Sequence, residues 1–195
     1  MENKGLNTYL ARAVLIMSMI FMSCTRTSKT ISTTADVVAK ESLEKINEHE
    51  RTFLQKINEL RKQNGVAPLQ LSSELQRSAA KHSEYMNIAD KLSHIEGYPG
   101  SAVYSSDDRI SLEIEHAHTA DFFITGENIA CGSATADGVY QQWLHSKGHY
   151  ENMILAKYQF IGIARAGTPE EAKEKRCPYY WTTDFGGNAP DSKQQ

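Results

Sequence analysis

The order of the hydrophobic periodicities constrains this chain most. Phe53, Leu54, Ile57 and Leu60 recur at helical spacing, as do Leu75, Ala79, His82 and Met86, whereas strand-like runs gather late, at Phe160–Ala164 and Pro178–Phe185. Val139, Tyr140, Trp143 and Leu144 return to a helical period between them, and a charged loop, Thr168–Arg176, joins the two strands. Helices first, antiparallel strands late and helices between is an α+β pattern.

Local signals set the expected boundaries. Leu43-Glu-Lys-Ile-Asn-Glu48 returns eleven residues later as Leu54-Gln-Lys-Ile-Asn-Glu59. Eleven residues are close to three turns, so both copies would share one face of a helix running from about residue 40 to 64 and stopped by Asn64-Gly65. A second helix is expected over 73–87, with Ser72 as N-cap and Glu74 in its first turn. Ile110, Leu112 and Ile114 alternate like a strand, yet Ser106-Asp107-Asp108 before them reads as a helix start, and a short helix is the favoured reading. Phe122–Ile124 is expected to be a strand leading into Gly126-Glu127-Asn128-Ile129, and a further helix over 135–147 is expected to end at Gly148.

The first 23 residues have a different purpose. Lys4 and Arg12 precede an apolar run, Ala13–Met22, followed by Ser23-Cys24. Ten helical residues rise about 15 Å, half the hydrocarbon thickness, so the run reads as a signal-peptide segment rather than a membrane span. Phe21-Met22-Ser23-Cys24 resembles a bacterial lipobox, which implies that Cys24 becomes the acylated first residue of the exported chain; cleavage nearby, with Cys24 left as a free thiol, is the alternative. Residues 25–34 hold seven Ser or Thr and read as a flexible tether. The expected organisation is a signal peptide over 1–23, the lipidated cysteine, tether and helix start over 24–47, a folded domain over 48–188 and a disordered tail over 189–195. A net charge of −3 provides no basic field, which argues against nucleic acid as a partner.

Four segments stand in a telling order: Phe53-Leu-Gln-Lys-Ile-Asn-Glu-Leu-Arg61 with Pro68-Leu69; Gly126-Glu-Asn-Ile-Ala130; Trp143-Leu-His-Ser-Lys-Gly-His149-Tyr-Glu-Asn152; and Tyr180-Trp-Thr-Thr-Asp-Phe-Gly186. Together they resemble the CAP superfamily (cysteine-rich secretory proteins, antigen 5, pathogenesis-related 1), in particular its bacterial SCP-like members. The resemblance implies an α-β-α sandwich, a three-stranded antiparallel sheet between helical layers, with a cleft lined by two histidines and two acids. Those positions map onto His94, Glu127 and His149, while the second acid falls on Ser146. Any mechanism that needs two carboxylates is thereby weakened.

Two imidazoles across a cleft can bind zinc loosely, with Glu127 as third ligand or as an orienting acceptor. The same three residues can equally form a structural hydrogen-bond network, or a catalytic centre with Glu127 and His149 as its candidate residues. Other pairs are less persuasive. His116 and His118, and His145 and His149, lack the remaining ligands of a metal motif; Ser146 and His149 lack a nucleophile turn and oxyanion donors; Asp184-Phe-Gly186 reads as a strand end. Tyr179, Trp181, Thr183 and Phe185 share a strand face and read as core rather than as a lipid groove. With Cys24 assigned to lipid, Cys131 and Cys177 remain for a disulfide in an oxidising compartment, or for two separate thiols.

The expected function is a membrane-anchored binding or scaffold module of the bacterial cell envelope, at the outer membrane or cell surface. Its ligand would be an envelope polymer, a lipid or a protein. A metal-dependent hydrolase of peptide or glycan is the alternative.

Overall fold

The computed structural model describes residues 46–97, 103–117, 119, 122–175 and 177–189, all within one unit of the chain, Ser32–Gln195. The signal-like segment, Cys24, the tether and the tail from residue 190 lie outside the described residues.

The first helix, α1, runs Glu48–Gln63 and starts later than its 11-residue recurrence suggests. Asn47 is its N-cap, and a capping box ties the Asn47 side chain to the Glu50 amide and the Glu50 carboxylate to the Asn47 amide, each at 3.0 Å. Ile46 and Asn47, in the first copy of the repeat, stand outside the helix. Strand β1 (Gln70–Leu71) precedes α2 (Ser73–Ala89), whose N-cap is Ser72 as expected. A short hairpin comes next, β2 (Glu96–Gly97) with β3 (Val103–Tyr104), and then α3 (Ser106–Ala117). The helical reading of 106–117 is thus the correct one: Ile110 and Ile114 are buried one turn apart while Leu112 is exposed.

Strand β4 is Ile124–Cys131, so the strand contains Gly126-Glu-Asn-Ile-Ala130 instead of ending ahead of it. Phe122 lies outside β4 and packs against Phe160. Helix α4 (Ala136–Leu144) stops at His145, and Ser146 is the N-cap of a separate helix, α5 (Lys147–Ile154). Gly148 therefore sits in the first turn of α5 and does not end α4. Strands β5 (Phe160–Ala166) and β6 (Tyr180–Gly187) complete the fold, with β6 carrying Asp184 well inside the strand rather than at its end.

The sheet has four strands in the order β1-β5-β6-β4. The expected three-stranded antiparallel core is present as β5-β6-β4, and the two-residue β1 adds a parallel edge that its length hid from periodicity. Alternation along β4 and β6 separates two cores. Ala130, Trp181 and Phe185 face α1, α4 and α5, in a cluster with Phe53, Ile57, Trp143 and Met153; Ile129 and Tyr180 face α2 at Met86. The aromatic stripe of β6 is thus core. Gly162 on β5 lets α2 cross in backbone contact, since a Cβ there would stand 2.0 Å from the main-chain carbon of Leu75. Helices on both faces of the sheet make the expected α-β-α sandwich.

Candidate functional site

Glu127 is the centre of the site. It lies on β4, at the sheet edge, on the face that α2 covers, and its side chain is almost fully withdrawn from water. His94 Nδ1 stands 2.7 Å from Glu127 Oε1. Arg109, in the first turn of α3, donates through Nη2 to Glu127 Oε2 and through Nη1 to the His94 carbonyl at 3.1 Å. His82, on the inner face of α2, places Nε2 at 3.7 Å from Glu127 Oε2 and Nδ1 at 2.8 Å from Glu96 Oε1. Arg109 Nε lies 3.4 Å from that same Glu96 oxygen. Two acids, two imidazoles and one guanidinium therefore form a single network, assembled by α2, α3, β2 and β4.

His149 reaches the same edge from the other layer. It sits in the first turn of α5, and two asparagines fasten that turn to β4: Asn128 Nδ2 donates to the His149 carbonyl at 3.0 Å, and Asn152 Nδ2 donates to Asn128 Oδ1 at 2.9 Å and to the Glu127 carbonyl at 3.3 Å. Burial, and then the charge of His94, hold the His149 imidazole below its ordinary titration range. Its Nδ1 is buried without a hydrogen-bond partner among the described residues. The structure thus brings His94 onto Glu127 and fastens the turn that carries His149 to the Glu127–Asn128 segment of β4.

The other sequence candidates fall elsewhere or act differently. Ser146 is the N-cap residue of α5 without a side-chain cap bond, and among the described residues no hydrogen bond joins it to His149. His145 is the exposed C-cap of α4, its Nδ1 2.8 Å from the Gln141 carbonyl. His116 lies in the last turn of α3, and His118 lies outside the described residues. Cys131, the last residue of β4, forms a disulfide with Cys177.

Burial pushes the Glu127 carboxyl up, but the His94 hydrogen bond and the charges of Arg109 and His82 outweigh it and hold the acid below the usual range. This bears on metal binding. Both Glu127 oxygens are engaged, one by a guanidinium that repels a second cation, so the carboxylate does not fit as a third ligand. Among the described residues no group of three or more His, Cys, Asp or Glu side chains is placed to hold a metal ion.

Sequence reading passed over His82, Arg109, Glu96 and Asp184. A histidine at a core position of an amphipathic helix, between Ala79 and Met86, was a usable signal, as was an aspartate within a strand otherwise fully buried.

The family model described as CAP, cysteine-rich secretory protein family, matches residues 54–185. The chain is 26% identical over 118 residues to the uncharacterized protein YkwD of Bacillus subtilis, a match covering 60% of this chain and 42% of that protein; the chain therefore spans less than half the length of this curated relative. The fold is similar to that of an outer surface protein from Borrelia burgdorferi, with a TM-score of 0.59 and 22% identity over 73% of this chain and 95% of that one. It is also similar to an SCP-domain extracellular protein from Bacillus anthracis, with a TM-score of 0.55 and 19% identity over 72% of this chain and 40% of that one. With the family pattern matched across well over half of its length, on an α-β-α sandwich, the chain belongs to the CAP family of cysteine-rich secretory proteins.

Proposed function

We propose that this protein is an extracytoplasmic binding or scaffold module, tied to a bacterial membrane through an acylated Cys24 and presenting the His94–His149 cleft to a ligand of the cell envelope. The observation that carries the reading is the engagement of Glu127. A general base must be free to accept a proton and must titrate near the working pH. Glu127 is held between His94 and Arg109 and titrates low, which makes it a strong structural acceptor and a weak base. The hydrolase alternative assigns that residue the base role and is disfavoured for this reason.

The similar folds belong to an outer surface protein and an extracellular protein, which supports an extracytoplasmic location. Among the described residues no helix is long and apolar enough to cross a membrane, and in this reading attachment is through the lipid at Cys24. In this reading zinc is an optional occupant on His94 and His149, open to water on its remaining positions.

The test uses the full-length protein in detergent, wild type and the double variant His94→Ala/His149→Ala. Binding to isolated wall polymer and to lipid vesicles is expected in the wild type and lost in the double variant, with no peptide or glycan cleavage by either. Cleavage by the wild type that the double variant lacks would overturn the module in favour of the hydrolase. Calorimetric zinc titration at two pH values checks the metal: affinity should weaken as pH falls and the imidazoles protonate. Indistinguishable isotherms for the two proteins would remove zinc from the proposal.

A further inference from the structure

We propose that the Cys131–Cys177 disulfide is a thiol-exchange site, reducible in the folded protein by a dithiol whose sulfur enters the surface pocket beside it. None of the residues that line this pocket belongs to the His94–Glu127 network, so the inference holds whatever ligand the cleft receives.

Access is the first requirement of thiol–disulfide exchange, because the attacking sulfur must reach the bond. Cys131 and Cys177 both line a pocket of about 360 Å³, with Asp90, Lys91, Leu92 and Tyr180 as the other walls. Neither cysteine is fully buried; both pack on the margin of the small cluster of Met86, Ile129 and Tyr180. Cys131 also ends β4, which is an edge strand, so among the described residues no further strand covers its outer side. Gly132 follows with φ +106°, and a Cβ built there would meet nothing within 4 Å. The strand end is thus open to an approaching molecule.

Charge is the second requirement. The attacking and departing species are both thiolates, and a neighbouring cation favours each. Helix α2 closes at Asp90, which adopts a left-handed φ of 46°, and the Lys91 amide then donates to the Met86 carbonyl at 3.1 Å. That turn delivers the Lys91 ammonium to the pocket as the one cation among its lining residues, while the Asp90 carboxylate accepts from the Tyr180 hydroxyl at 2.9 Å.

In the exchange, a thiolate of the dithiol attacks one sulfur, the S–S bond breaks, and the other cysteine departs as a thiolate. The second thiolate of the reductant then attacks the mixed disulfide and frees the remaining cysteine. Two electrons pass to the protein, the reductant closes its own disulfide, and its two thiol protons end on the two cysteines by way of solvent. The fold retains other ties at this point. Lys175 Nζ donates to the Asn87 carbonyl at 2.9 Å and to Asn87 Oδ1 at 2.7 Å, the Gly132 amide donates to the Tyr179 carbonyl at 2.9 Å, and β6 stays paired with β4 and β5. Reduction therefore loosens the end of β4 from the segment entering β6 without opening the sheet.

The test follows reduction of the full chain by dithiothreitol at neutral pH, with alkylation and mass analysis at intervals and near-ultraviolet circular dichroism alongside. Both cysteines should become modified while the tertiary signal persists, at a rate proportional to dithiothreitol and flat in urea below the unfolding midpoint. Lys91→Gln, which leaves the main-chain turn intact, should slow the reaction several-fold. A parallel arm with reduced thioredoxin separates the sources of the dithiol: reduction there as well points to a protein, and reduction by dithiothreitol alone to a small molecule. A rate that climbs steeply in low urea, or reduction only as the tertiary signal is lost, would overturn the proposal by showing that the bond is reached through unfolding. An unchanged rate in Lys91→Gln would overturn it too.

Discussion

The guanidinium of Arg109 and the carboxylate of Glu127 form an ion pair with both side chains almost wholly out of water, and the same guanidinium grips the main-chain carbonyl of His94. One cation therefore fixes both sides of the acid–imidazole contact at the cleft. Removing it leaves a buried carboxylate without its main compensation. Arg109→Ala is expected to cost about 3–5 kcal/mol of stability in urea unfolding and to raise the Glu127 titration midpoint. Arg109→Lys should recover little, because a point charge cannot reach Glu127, Glu96 and the His94 carbonyl together. A loss below about 1 kcal/mol in Arg109→Ala, the range of exposed pairs, would show the network to be solvated.

The two acids give stability opposite pH dependences. Glu127 titrates lower in the folded state than its ordinary 4.5, so its contribution is present above that value and is lost as pH falls through the folded midpoint. Asp184 titrates higher than its ordinary 3.8, so the unfolded chain releases that proton first, and the contribution fades as pH rises from there toward the folded midpoint. Asp184→Asn abolishes only the second effect. Its stability relative to wild type should therefore climb between about pH 4 and neutrality in thermal unfolding, and a difference independent of pH would show that Asp184 titrates in its ordinary range.

Arg61 connects the core to the helix that carries His149. Fully buried, it donates through Nε to the Ala67 carbonyl at 2.7 Å, through Nη1 to the Met153 and Leu155 carbonyls at 3.0 and 3.1 Å, and through Nη2 to the Tyr158 carbonyl at 2.8 Å. Two of those carbonyls lie at the C-terminal end of α5, where a cation also offsets the helix dipole. Arg61→Met should cost about 3 kcal/mol or more, since several buried carbonyls lose their donors at once. Faster amide exchange in α5 than in α2 would locate the damage, and protection unchanged in α5 would refute this account.

The Cys131–Cys177 disulfide joins the end of β4 to the segment entering β6 across 46 residues of sequence. Closing a loop of that size restricts the unfolded chain, and replacing both cysteines by serine should cost about 3–4 kcal/mol in urea unfolding. Alkylation of the unfolded, unreduced protein, with peptide mass analysis afterwards, should find neither residue modified. Modification of both would show two separate thiols.

Much of the fold was legible because its signals are local. Ser72 caps α2 where its hydroxyl meets the Leu75 amide three residues on, and the α1 face of Phe53, Leu54, Ile57 and Leu60 is buried as its spacing predicts. Where local signals conflicted, packing decided: 106–117 became a helix because Ile110 and Ile114 join Leu75 in one cluster. The two-residue β1 gave no periodicity to read, and exists because the Gln70 and Leu71 main chain lies beside Phe160 and Ile161.

What the sequence determined by itself was the order of the main elements, the Ser72 cap of α2 and the family pattern. These arise from interactions spanning a few residues or from motifs that stand in the chain as written. Only the tertiary structure decided the electrical state of the cleft. Arg109, His82 and Asp184 lie 18, 45 and 57 positions from Glu127 in sequence, and meet it only because α2 and α3 cover the β4 face and β6 pairs with β4 in one register. A carboxylate's charge depends on the neighbours and the solvent around it, and no local pattern specifies either.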